Sequence, residues 1–159
     1  MIFEIQAKEK SSMIKILSLA LLTVAGLSAQ AVPVCSAVSE DDARALIGAS
    51  AKRTKDPSGC QWAEAGGKKQ LNVARVGTAA PFESFRTHSV EEGKTQTENG
   101  LGGIAFSSIP SAHHGSRAAI YLVKGSAILV VDIDGFAPGG AEQQLPQVRE
   151  LVRKLVARL

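Results

Sequence analysis

The chain has 159 residues, 18 basic against 15 acidic, a net charge of +3, 45% hydrophobic residues and only 4% aromatic ones. With no basic run beyond Lys52-Arg53-Thr54-Lys55 and few rings to stack on bases, it lacks the footprint of a nucleic-acid binder. Its length allows one domain with a respectable core once any leader is subtracted.

From Ile16 to Leu27 the chain is uncharged and rich in Leu, Ile, Val and Ala, with Lys15 before it and Ser28-Ala29-Gln30-Ala31 after it. That is the layout of a signal peptide, with Ala29 and Ala31 at the two small positions of an A-x-A cleavage site. As a helix the apolar run would reach about 18 Å, too short for a hydrocarbon core of about 30 Å. The expectation is therefore a signal peptide over residues 1–31 and an exported, periplasmic or secreted domain over 32–159, with no membrane span after processing. Glu4 and Glu9 are out of character for a leader, whereas Met13-Ile14-Lys15 opens a compact one, so Met13 is the expected start of translation. Without that segment 15 basic and 13 acidic residues remain, a net of +2. Val32-Pro33-Val34 lacks the small residues that a lipoprotein signal places before its cysteine, so Cys35 is not read as a lipid anchor.

Cys35 and Cys60 are the only cysteines. Outside the cytoplasm two thiols are normally oxidised, and a disulfide is favoured over a metal or catalytic thiol because no CxxC cluster or evident base accompanies them. Ser39-Glu40-Asp41-Asp42 has the form of a capping box and predicts a short helix from Ser39 to Gly48. Cys60 and Trp62 begin a strand, Gly66-Gly67 a turn, and Leu71, Val73 and Arg75 alternate with Asn72, Ala74 and Val76, predicting a β-hairpin.

Pro81 to Arg86 predicts a short helix with two phenylalanines three apart, able to lie on the sheet. Glu91 to Asn99 is polar and reads as a loop. After Gly100-Leu101-Gly102-Gly103 comes Ile104-Ala105-Phe106, then two strands, Ala118 to Lys124 and Ser126 to Asp134, joined at Lys124-Gly125. These are the expected centre of the sheet. A helix from about Glu142 carries Leu145, Val148, Leu151, Val152, Leu155, Val156 and Leu159 at helical spacing. The order α-ββ-α-βββ-α predicts a single α+β domain: an antiparallel sheet of about five strands with helices packed on one face.

Cys35-Ser36 before an acidic-capped helix ending in Leu46-Ile47-Gly48, Cys60-Gln61-Trp62 opening a strand, and Gly100-Leu101-Gly102-Gly103-Ile104-Ala105 before the hairpin from Ile120 to Val131 together resemble the DUF3558-type exported proteins, small bacterial envelope domains of uncharacterised function. The resemblance implies the α+β fold, the envelope compartment and the Cys35–Cys60 pair, and brings no catalytic residues. The chain departs from that pattern in having no lipoprotein box at Cys35 and Gly103 where an aspartate is frequent.

His113-His114, with His88, are the residues best suited to zinc or copper. They sit in Ser111–Ser116, however, which reads as a solvated loop between strands, so no metal or cofactor is expected. Asp132 and Asp134 share a strand face and suit paired carboxylates or calcium, against the plainer reading of a solvent face. The glycines at 100, 102 and 103 lead into a strand, the wrong context for a phosphate cradle. No serine lies in a G-x-S-x-G elbow. The leading functional expectation is a monomeric, non-enzymatic envelope domain that binds an unknown protein or small ligand. The alternatives are a small hydrolase or metal-dependent enzyme using His113 and His114, and an inhibitor of a secreted enzyme inserting the segment Thr87 to Asn99.

Overall fold

The computed structural model describes residues 34–54 and 60–158. The apolar segment, the expected cleavage after Ala31 and the start at Met13 lie outside the described residues. Two short helices come first, α1 (Val34–Ala37) and α2 (Glu40–Ile47). The capping box that the sequence predicts closes α2: the Ser39 hydroxyl accepts the Asp42 N–H at 3.1 Å, and the Asp42 carboxylate accepts the Ser39 N–H at 3.2 Å. Strands β1 (Lys52–Arg53), β2 (Cys60–Ala63) and β3 (Gln70–Val76) follow, with the β2–β3 turn at Gly66 and Gly67, both at positive φ. Then come α3 (Phe82–Glu92), β4 (Gly93–Glu98), β5 (Ile104–Pro110), a single 3-10 turn over Ser111–His113, β6 (Ala118–Lys124), β7 (Ala127–Asp134) and α4 (Gly140–Arg158).

The seven strands form one antiparallel sheet in the order β1-β2-β3-β7-β6-β5-β4. The α+β class and the central β6–β7 hairpin are as the sequence predicts. The two strands beyond the expected five are the edges. Edge strands need no apolar alternation, and β1 and β4, read as basic and polar stretches, have none. Glu91 to Asn99 is therefore not a loop: α3 runs to Glu92 and hands directly to β4, whose Thr95 and Thr97 pair with Ser108 and Phe106.

Because strand side chains alternate, each strand divides its residues between two layers. Cys60, Trp62, Leu71, Val73, Ala118, Ile120, Leu122, Leu129, Val131 and Ile133 face α1, α2 and α4 in the main core. These side chains meet three helices, and each large one is worth roughly 1.5–3 kcal/mol when fully covered. The opposite face is not left bare. Phe82 of α3 meets Phe106 at 5.4 Å between ring centroids, Phe106 stacks on Tyr121 at 4.8 Å, and Ile128 completes this second cluster. The expectation of helices on one face thus holds for α1, α2 and α4 and is corrected for α3. Its phenylalanines had to follow Phe106, Tyr121 and Ile128, whose strand parity puts them on the other side.

A disulfide and two ion pairs are among the ties between elements. Cys35 and Cys60 are bonded, joining α1 to β2 with their Cα atoms 5.2 Å apart. Lys154 of α4 meets Asp42 of α2 at 2.8 Å. Arg149 of α4 forks onto Glu98 of β4 at 2.6 and 2.7 Å, and the Glu98 side chain is 5% exposed. Gly135 closes the end of β7, where a Cβ would lie 1.6 Å from the Lys68 carbonyl oxygen; φ there is +80°.

Candidate functional site

On the main helical face, the strand ends at one margin of the sheet meet the last turn of α4, with Leu122, Leu129 and Ala127 buried there and Arg75 and Lys124 exposed. Arg75 lies opposite Leu129, Leu129 opposite Leu122, and Ala127 opposite Lys124. All five point toward the helical layer, since Leu71, Val73, Ile120 and Val131 of the same parity do. They enclose a pocket of about 280 Å³. Leu122, Leu129 and Ala127 make its floor, Val156 of α4 a wall, and Gly125 of the hairpin turn one lip. Arg75 and Lys124, both exposed, stand at its rim. The Lys124 ammonium also donates to the Val156 carbonyl oxygen, one of the acceptors that a helix end leaves without an intrahelical partner. Among the described residues no acidic side chain lines the pocket.

A second concavity, of about 70 Å³, lies under α3 on the other face. Phe85, His88, Ser89 and Glu92 come from the helix, Ser108, Ala119 and Tyr121 from the strands, and Arg117 closes one side. Its charges are already matched. Arg117 forks onto Asp132 at 2.8 to 3.2 Å, and His88 Nε2 meets Glu92 at 3.1 Å on the exposed flank of the helix. Burial pushes Asp132 above the ordinary carboxylate value, the Arg117 guanidinium opposing it, and the hydrogen bond to Asp132 raises Arg117 in turn. Burial, with Asp132 adding to it, also raises the Tyr121 phenol. Both oxygens of Asp132 accept from Arg117, so this carboxylate is held as a structural anchor for β6 and β7. The cavity has room for one or two waters and not for an organic substrate.

The residues singled out by sequence fall in separate places. His113 ends the 3-10 turn, and His114 follows it in the left-handed region at φ 47°. His114 lines a third opening with Lys94, Ser111, Gly139 and Glu142. His88 belongs to α3. Among the described residues no group of three or more His, Cys, Asp or Glu side chains is placed to hold a metal ion. Asp132 and Asp134 do share one face, but Asp132 is buried against Arg117 and is not part of a solvent face. The segment offered for inhibitor insertion, Thr87 to Asn99, is the end of α3 and the paired strand β4. Gly100 and Gly102 turn the chain at positive φ, and Gly103 lets it pass close to β6, where a Cβ would lie 2.1 Å from the Val123 carbonyl oxygen.

Arg75 and Lys124 were not among those candidates. A signal was nevertheless there: each is a cation in the register of a run of core residues, Leu71-x-Val73-x-Arg75 and Ile120-x-Leu122-x-Lys124. No family model matches the chain, and no curated protein matches it. Among the described residues no helix is long and apolar enough to cross a membrane.

Proposed function

We propose that this chain is an exported, non-enzymatic binding domain of the cell envelope or periplasm, holding its ligand in the pocket between the β6–β7 hairpin and the end of α4. The observation that carries the reading is the pocket itself: a concave apolar floor of Leu122, Leu129 and Ala127, open at its rim, in a domain whose core is otherwise roofed by helices. Export is supported by the apolar run Ile16–Leu27 with its small-residue end, and the resemblance to DUF3558-type envelope proteins agrees with it. The catalytic alternative has less behind it, because among the described residues no group of three or more His, Cys, Asp or Glu side chains gathers to hold a metal ion, and Asp132 is committed to Arg117.

Two experiments test the two halves of the reading. Intact mass of the protein from envelope and medium should start at Val32 and accept two alkyl groups only after reduction; an uncut chain or free thiols would remove the exported reading. A neutral apolar fluorophore, N-phenyl-1-naphthylamine, should bind at one saturable site, and Ala127→Leu, which fills the floor, should abolish its signal with the fold intact. Turnover of a substrate that is lost on mutating a polar cluster would make the protein an enzyme instead.

A further inference from the structure

The rim of the pocket is more specific than its floor. Arg75 and Lys124 approach it from β3 and β6, with Leu129 of β7 between those strands. Each extends an apolar row, so its methylene stem lies along apolar surface while the charged head reaches water. Among the described residues neither has a carboxylate partner, although Arg149, Arg153 and Lys154 of the neighbouring α4 are each ion-paired. The contact of Lys124 with the Val156 carbonyl oxygen uses one of its three donors and leaves the charge unneutralised.

Two cations without a carboxylate partner over an apolar floor, with no acid among the described residues of the lining, are complementary to a molecule that is apolar along its body and anionic at one end. We propose that the pocket takes a single-chain anionic amphiphile, a free medium-chain carboxylate, with its chain against Leu122, Leu129 and Val156 and its carboxylate between Arg75 and Lys124. This rests on the binding reading given above and names its ligand class. The size suits one chain: a half-open pocket of about 280 Å³ is on the scale of a single medium-length chain, at about 30 Å³ for each water-sized group.

The test is a methyl-detected NMR titration of the mature chain with decanoate, decanol and decyltrimethylammonium. Decanoate should shift the methyls of Leu122, Leu129 and Val156 saturably, decanol should bind about tenfold or more weakly, and the cationic amphiphile weaker still. Raising salt should weaken decanoate and leave decanol unchanged. Arg75→Gln with Lys124→Gln should bring decanoate down to the affinity of decanol without altering decanol binding. The glutamine at 124 keeps an N–H donor for the end of α4, and an unchanged amide spectrum certifies the fold. Equal affinity for decanoate and decanol in the wild type would overturn the charge reading while leaving a binding pocket. If none of the three moves those methyls, the ligand class and the binding reading fall together.

Discussion

Replacing Glu98 by Gln should cost about 2 kcal/mol at neutral pH, and the cost should shrink as the pH falls. Glu98 lies at the end of the edge strand β4 and Arg149 in the middle of α4, so their fork is the tie that holds that edge under the helical layer. Gln keeps the shape and one acceptor but loses the charge and turns an N–H₂ toward the guanidinium. Losing one charge-assisted hydrogen bond of this kind is worth about 1.5–3 kcal/mol, and Arg149, partly exposed, recovers some hydration. Burial raises the Glu98 carboxyl, but bonds to Arg149 and Ser107 overcome it and leave the value below the ordinary glutamate range. A carboxylate depressed in the folded state contributes its stability above the unfolded value, about pH 4.3, and loses it as the pH falls through the lower folded value. Urea unfolding followed by Trp62, the only tryptophan and 1% exposed, reports the global transition. A wild-type–variant difference below about 0.5 kcal/mol at pH 7 would refute the tie, since surface changes commonly fall within that range. A difference of 2 kcal/mol that stays constant down to pH 2.5 would refute its electrostatic origin.

Other perturbations have equally definite outcomes. Replacing both Cys35 and Cys60 by Ser opens a bridge whose cysteines are 25 apart in sequence; by chain entropy it should lower stability by about 3.5 kcal/mol in urea melts, and no change would mean that the unfolded chain is not loosened. Gly135→Ala should lower it by about 3 kcal/mol or more, through left-handed strain plus the clash with Lys68, whereas Gly67→Ala, with φ +71° and nothing within 4 Å, should cost about 1 kcal/mol. Equal costs would show that the backbone approach at Gly135 is not tight. Phe106→Ala removes the ring common to the contacts with Phe82 and Tyr121 and should cost about 3–5 kcal/mol, with a loss of near-ultraviolet tyrosine dichroism. An unaltered dichroism would mean that Tyr121 is not held by that stack.

What the sequence made legible follows from what burial writes into it. The α2 helix, the β2–β3 and β6–β7 hairpins and α4 could be read because a cap or an apolar rhythm marks each, as Ser39, Gly125 and the row from Leu145 to Leu155 do. Both β1 and β4 escaped because an edge strand covered on few sides carries polar residues, and Lys94-Thr95-Gln96-Thr97 reads equally well as loop. The position of α3 was hidden for another reason: Phe82 and Phe85 announce an apolar stripe, and only the parity of Phe106 and Ile128 says which face receives it. Asp132 read as a solvent-face residue or a ligand pair with Asp134 because its true partner, Arg117, stands just before β6 and no spacing connects them. The rim cations were legible only as breaks in an apolar alternation, a mark that any strand end can carry.

The sheet order also sets a timetable. Cys35 and Cys60 both precede β3, so their bridge needs no part of the chain beyond β2. The outer flank of β3, however, pairs with β7, and the register Gln70↔Asp134 to Val76↔Ile128 cannot form until nearly the whole chain has emerged. At the 5–20 residues per second typical of synthesis, a ribbon carrying Leu71 and Val73 stands for several seconds with one backbone flank unpaired. A chain unsatisfied along β3 is the species open to self-association, and the interval before β7 arrives is when a holding factor would matter most to its yield.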